Sequence, residues 1–171
     1  MSESLSSIEV IIAAGSNLGN REEMLQRAGV FLESISEGPV VKSSIWETDP
    51  MGPSKYPFLN GVVKIQWKSG EESLLNLLRQ LKGFERGCGR PENPERWGPR
   101  ILDLDIIAAG SDSVRKESLA VPHPEYSKRW FVLAPLEEID PNWTDPLDHT
   151  PIQTMMKQAD ALAIRKTTLS W

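Results

Sequence analysis

Residues 100–107 read Arg100-Ile101-Leu102-Asp103-Leu104-Asp105-Ile106-Ile107. Along a strand, successive side chains alternate between faces. Leu102, Leu104 and Ile106 therefore share one side, and Asp103 and Asp105 share the other with Cα atoms roughly 7 Å apart. A strand over 101–109, aliphatic on one face and acidic on the other, suits a sheet with helices packed on its apolar side. The flanking segments agree. IEVIIAA at 8–14 reads as a short buried strand. At 58–67, Val63, Ile65 and Trp67 alternate with Lys64 and Gln66, the pattern of a half-buried strand. Further strands are predicted at 40–48 and around 118–121. Met24, Leu25, Ala28, Phe31, Leu32 and Ile35 fall on one stripe of a helix over 21–35. Ser69 and Glu72 suggest a capping box for a second helix ending near Gly87. Residues 15–20 read as a turn, 127–138 as helical with Pro135 interrupting, and 151–163 as helical. Strands and helices mix without strict alternation, which gives an α+β domain: a mainly antiparallel sheet with helices on its faces.

The chain has 171 residues, which suits one domain over 1–171. No apolar run approaches the ~18 residues of a membrane span. MSESLSSIEV at 1–10 lacks the basic start and apolar core of a secretory signal, so the expectation is a cytoplasmic protein. A single cysteine, Cys88, excludes an internal disulfide framework and a multi-thiolate zinc site, and His123 and His149 are too few for a polyhistidine centre. A metal here is held mainly by carboxylates, which favours a hard cation such as Mg²⁺. The net charge of −5 argues against nucleic acid as the main partner, and nothing points to a membrane.

Asp103 and Asp105 repel each other and prefer a cation beside them, although the Asp-x-Asp spacing also fits two solvated acids. The preceding loop, RGCGRPENPERWGPR at 86–100, sets Arg86, Arg90, Arg96 and Arg100 around Trp97. Arginine offers fixed bidentate donors to phosphate, and Mg²⁺ bridges phosphates; a solvated loop of local Glu–Arg pairs is the alternative. His123, between Pro122 and Pro124, is placed to hydrogen-bond a phosphate or to serve structure. The other long loop, 49–57, holds Pro50, Pro53 and Pro57.

Four segments taken together resemble the 6-hydroxymethyl-7,8-dihydropterin pyrophosphokinase (HPPK) family: AAGSNLGN at 13–20, SSIWETDPMGPSKYPFLNGVV at 43–63, RWGPRILDLDI at 96–106 and VPHPEYSKRWFVLAPLEEI at 121–139. The resemblance implies a ferredoxin-like sandwich and a stand-alone enzyme that moves pyrophosphate from ATP to the pterin hydroxymethyl group, leaving AMP. It implies that Asp103 and Asp105 hold two Mg²⁺ ions and that Arg90 and Arg100 clamp the ATP phosphates. His123 and Arg129 match a phosphate-contacting pair, Glu85 an acidic helix-end position near the nucleotide, and Ile106 part of an adenine site. Phe58 and Phe131 match the rings that sandwich the pterin, and Asn60 the amide that reads its edge. Thr48, Pro50 and Met51 match a loop wall, and Trp97 a tryptophan that closes over both substrates. Arg90, Arg100, Asp103, Asp105 and His123 are thus the implied catalytic set. Partners are expected to be small molecules, with the enzyme a monomer.

The chain departs from the family pattern at Glu92 and Asn93, where many members carry a second basic residue, and at Phe58 and Pro124, where many carry Tyr. Retained activity with weaker ATP grip is the expectation, and loops 49–57 and 88–100 are expected to close over the substrates. The rival readings are another Mg²⁺-dependent nucleotidyl or glycosyl transferase, a non-catalytic ferredoxin-like binding module, and an inactive family member.

Overall fold

The computed structural model describes residues 6–50, 56–89, 101–159 and 163–171. In chain order its strands are β1 (Ser7–Ser16), β2 (Val41–Lys42), β3 (Trp46–Thr48), β4 (Phe58–Lys68), β5 (Asp103–Ala109), β6 (Val114–Arg115), β7 (Ala120–Val121) and β8 (Ile164–Lys166). The main sheet runs β5-β1-β4-β3-β8, with β2 also paired to β4, while β6 and β7 form a separate ribbon. Every pairing among the described strands is antiparallel, as expected for the α+β class.

Alternation along the central strands decides what covers each face. Val10 and Ile12 of β1, Val63 and Ile65 of β4, and Leu104 and Ile106 of β5 point to one side. There they meet Leu25 and Leu32 of α1 (Arg21–Ile35) and Leu74, Leu77 and Leu81 of α2 (Glu71–Gly87). Phe31 and Phe84 join the two helices as stacked rings with centroids 4.2 Å apart. The intervening residues Ile11, Val62 and Ile107 face the other way, onto α3 (Trp130–Ile139) and α4 (Ile152–Gln158) through Val132, Leu133, Leu136, Ile152 and Met155. Burying each such side chain stabilises the fold by roughly 1.5–3 kcal/mol.

α1 has the bounds the sequence suggests because Asn20 caps it, accepting from the Glu23 N–H at 3.1 Å. Elsewhere the structure corrects the reading. Gly15 and Ser16 belong to β1, paired with Asn60 and Leu59, rather than to the turn. The strand expected at 40–48 is broken between β2 and β3, where the Ser43 hydroxyl accepts from the Val62 N–H at 2.9 Å in place of a backbone carbonyl. Pro135 does not interrupt α3, which runs through it to Ile139; a proline at this position removes only the bond to the Phe131 carbonyl. The last helix stops at Gln158, and the short strands β6 and β8 were not foreseen.

The capping box at Ser69 does not form. Gly70 is the N-cap of α2 and no side chain on the helix's own segment caps it. Instead Asp112, arriving from beyond β5, accepts from the Gly70 N–H at 2.9 Å and the Ser69 hydroxyl at 2.9 Å. A carboxylate there also meets the positive end of the helix. Asp112→Ala should therefore cost about 1 kcal/mol in urea unfolding, whereas Glu72→Ala should change stability by less than about 0.5 kcal/mol.

Candidate active site

Residues directly opposite in a ladder lie on the same face, so register alone assembles a row across the sheet. Asp103 on β5 faces Gly15 on β1, which faces Asn60 on β4, which faces Trp46 on β3 and then Lys166 on β8. Asp105 begins the next row, opposite Ala13 and then Val62. Val62 lies under α3, so both rows belong to the α3 face. Two strand spacings separate Asp103 from Asn60, about 10 Å, and Gly15 between them contributes no side chain. The absence matters: a Cβ on Gly15 would sit 3.0 Å from Asn60 Oδ1.

At the far side of this gap, Asn60 is buried and its Nδ2 donates to the Thr48 hydroxyl at 3.0 Å. Thr48 is itself buried and pairs with Phe58. The amide is thereby held with a fixed polar edge toward the gap.

The acid side is held by a clamp that no local motif announces. β5 is the edge strand, and the backbone of Leu104 between the two acids turns outward to α2. Its N–H donates to Glu85 Oε1 at 2.6 Å, and its carbonyl accepts from Lys82 Nζ at 2.9 Å. Lys82 also donates to Glu85 at 3.0 Å and stands 3.7 Å from Asp105 Oδ1. Glu85 is 1% exposed. Burial, then the neighbouring Asp103 charge, pushes the Asp105 carboxyl up to about 6, against the pull of Lys82 and Arg129.

His123 hangs from β5 by its backbone N–H, which donates to the Ile107 carbonyl at 2.8 Å. Its Nδ1 accepts from the Glu125 N–H at 3.1 Å, so in the neutral ring the proton sits on Nε2. Burial, then the nearby Arg129 charge, lowers its pKa below the usual value, leaving a neutral imidazole at pH 7 with an Nε2–H to offer. Arg129 is the N-cap of α3 and lies 5.7 Å from the centroid of Phe131, a cation–π contact. Lys82, His123 and Arg129 thus bring donors to the acid pair. Among the described residues, no third Asp, Glu, His or Cys joins Asp103 and Asp105 as a closed metal cage. Two hard carboxylates without a full protein cage fit Mg²⁺, which keeps waters and takes substrate phosphates as ligands.

Residues 11–141 match the family model described as 7,8-dihydro-6-hydroxymethylpterin-pyrophosphokinase (HPPK). The chain belongs to the HPPK family. It is 44% identical over 130 residues to the 2-amino-4-hydroxy-6-hydroxymethyldihydropteridine pyrophosphokinase of Bacillus subtilis, covering 75% of each chain. It is 34% identical over 155 residues to the Synechocystis enzyme of the same name, covering 90% of this chain and 77% of that one. A solved Plasmodium falciparum HPPK-DHPS structure superposes with a TM-score of 0.67 at 13% identity. That match covers 92% of this chain and 45% of the other, and it supports the ferredoxin-like fold.

Of the HPPK residues expected from sequence, Thr48, Phe58, Asn60, Asp103, Asp105, His123, Arg129 and Phe131 all belong to this face or its margin. Phe58 and Phe131 are half-buried, and Pro50 is exposed just beyond β3. Glu85 lies under the acid pair. The Ile106 side chain points into the core below α2, 3% exposed. Met51, Arg90, Trp97 and Arg100, along with Glu92, Asn93 and most of both long loops, lie outside the described residues. Sequence reasoning missed Lys82 and Gly15. The i, i+3 spacing of Lys82 and Glu85 was one available signal, and an isolated glycine at the end of an aliphatic strand was the other.

Because the Asp105 carboxyl is raised in the folded state, that state binds more protons than the unfolded chain between about pH 4 and pH 6. Stability contributed by this group is present at low pH and lost as pH rises through 6. In EDTA, Asp105→Asn should therefore stabilise the protein at pH 7. The gain should be about 1 kcal/mol, discounted for the exposed third of the side chain, and should vanish below about pH 4. Urea titrations at several pH values check both the sign and the window.

Proposed function

We propose that Asp103 and Asp105 hold two Mg²⁺ ions and that the row from Asp103 through Gly15 to Asn60 seats the pterin beside them. The chain is an HPPK, transferring pyrophosphate from ATP to the hydroxymethyl group of 6-hydroxymethyl-7,8-dihydropterin in folate biosynthesis. The observation that supports this reading of the residues is the spacing in that row. Asp103 and Asn60 stand two strand spacings apart, about 10 Å between backbones, across a glycine that puts no side chain between them.

In this reading Asn60, held by Thr48, pairs with the polar edge of the pterin, and leaving its buried groups unpaired is what rejects other ring systems. Phe58 and Phe131 supply the stacking surface, with Pro50 and Met51 walling the loop side. His123 donates from Nε2 and Arg129 from its guanidinium to phosphate oxygens, joined by Arg90 and Arg100. Glu85 and the outward backbone of the edge strand at Ile106 serve the nucleotide, and Trp97 covers the substrates. Held by Asp103 and Asp105, Mg²⁺ would supply charge neutralisation to the phosphates. The hydroxyl attacks the β-phosphorus, the bond to the α-phosphate oxygen breaks, and AMP leaves. Asp103, in the same row as Asn60, is the carboxylate placed to take the hydroxyl proton. Phosphoryl transfer needs positioning and charge neutralisation more than covalent help, and these residues provide both.

We further read residues 1–171 as one pyrophosphokinase domain acting as a cytoplasmic monomer on small molecules, with no nucleic acid or membrane as partner. Among the described residues no helix is long and apolar enough to cross a membrane.

Incubation with MgATP and the hydroxymethyl-dihydropterin should yield AMP and the pterin diphosphate. Release of inorganic pyrophosphate instead would mean nucleotidyl transfer. Asp103→Ala and Asp105→Ala should each lower turnover at least about 100-fold with an unchanged far-ultraviolet circular dichroism spectrum. Near wild-type turnover in either variant would refute the metal assignment.

A further inference from the structure

The HPPK match ends at residue 141, yet residues 163–171 return to the sheet and lie along the strand that carries Thr48. We propose that this segment is a strap that positions Thr48, and through it Asn60, and so sets affinity for the pterin without affecting ATP. The inference rests on the reading of Asn60 and Thr48 as pterin contacts.

β3 is only three residues long, and Thr48 is its last. On one side it is held by β4 and on the other by β8, in the register Trp46 to Lys166, Glu47 to Arg165 and Thr48 to Ile164. The contact continues past both ends of the ladder. The Asp49 N–H donates to the Ala163 carbonyl at 3.3 Å, and the Thr167 N–H and hydroxyl donate to the Ile45 carbonyl at 2.9 and 2.7 Å. Arg165 pairs with Glu47 and lies 3.6 Å from Asp49. Lys166 sits 5.4 Å from the Trp46 ring centroid and 3.2 Å from Glu138, whose carboxylate also accepts from the Ser44 N–H and the Trp46 indole.

The strap is anchored at its far end on the opposite face of the sheet. The Trp171 indole N–H donates to the Ser43 carbonyl at 2.7 Å. Its ring lies over Gly61 of β4 and Gly29 of α1, and a Cβ on Gly61 would come within 2.2 Å of that ring. Gln26 of α1 donates to the Ser170 carbonyl at 3.2 Å. Residues 43–49 are thus bonded to the strap along their length.

A three-residue strand stripped of one neighbour becomes a frayed edge, because the free energy of local opening tracks the contacts that hold it. Thr48 would then drift, and Asn60 would lose the hydroxyl that fixes its amide. The acid pair stands on β5, three strands away across β4 and β1, and its clamp to α2 shares no residue with the strap. Loosening the strap should therefore weaken the pterin and spare the nucleotide. An unselective loss of folded protein would lower turnover and leave both KM values unchanged.

The test is steady-state kinetics on the full chain carrying Thr167→Pro, which removes the donor to Ile45, with Asn60→Ala run in parallel. Thr167→Pro should raise the pterin KM about tenfold while the ATP KM stays within about twofold. If that variant does not fold, Arg165→Ala and Thr167→Val read the same split, with an expected rise in pterin KM of about threefold. An unchanged pterin KM in folded strap variants, or pterin and ATP KM rising together, overturns the proposal. If Asn60→Ala raises the pterin KM and the strap variants do not, the strap alone is refuted. If Asn60→Ala leaves it unmoved, the pterin-pocket reading fails first and the strap with it.

Discussion

The contact on which the site depends is the one between the buried Glu85 carboxylate and the Leu104 N–H, closed by Lys82 on the Leu104 carbonyl. Two carboxylates at strand spacing repel, and among the described residues β5 is an edge strand with ladder partners on one side only. Left to themselves, these forces favour twisting or fraying of the segment that carries the acids. The clamp opposes this by pairing the outward N–H and carbonyl of the residue between them, which also blunts an edge that would otherwise invite another strand. Lys82 bonds the clamp and stands beside Asp105 at once. The same ammonium therefore stabilises the edge and offsets part of the acid repulsion. Glu85 cannot be removed without leaving the Leu104 N–H unpaired next to the acids, which gives the buried carboxylate a structural role.

The second determinant is how far α3 covers its face. Its buried side chains end over Ile11, Val62 and Ile107. One step further along β1 and β4 the row changes to Gly15 and Asn60. The helix start, with Arg129 as its cap and Phe131 in its first turn, therefore stands at the border between packed core and open face. Cation, ring and acid pair meet there because the helix begins there. The sheet supplies the rigid spacing between them.

How much of this was legible follows from which forces are local. The alternation at 100–107 announced the acid face because strand period is a property of a few neighbouring residues, and α1 was legible from its apolar stripe after the turn at 15–20. The clamp was hidden because it joins a helix end to a strand edge 19 residues away, and no periodicity encodes that meeting. The capping box at Ser69 misled for the same reason. A remote carboxylate, Asp112, takes the Ser69 hydroxyl and the Gly70 N–H, and the local box does not form. β8 escaped because Ile164, Arg165 and Lys166 carry too short a pattern to announce a strand, and it forms only because β3 offers an edge. Gly15 read as a turn residue, although its role is the space it leaves beside Asn60.

Net charge also needs correcting by geometry. A chain at −5 is an unpromising partner for a triphosphate if charge is treated as a single number. The field at a cleft is set by the nearest charges and by how poorly the surrounding protein screens them. Here Lys82, Arg129 and the Nε2–H of a neutral His123 lie on the side of the acid pair, so local positive charge and donors stand beside the two carboxylates. A neutral imidazole with its proton on Nε2 offers a donor there without adding a positive charge beside the carboxylates. Desolvation lowers the imidazole and raises the Asp105 carboxyl, so burial favours the uncharged form of both groups. At pH 7 the imidazole is therefore neutral, while the Asp105 carboxylate stays charged at a cost in stability. That cost is what a cation arriving beside the acid pair would relieve.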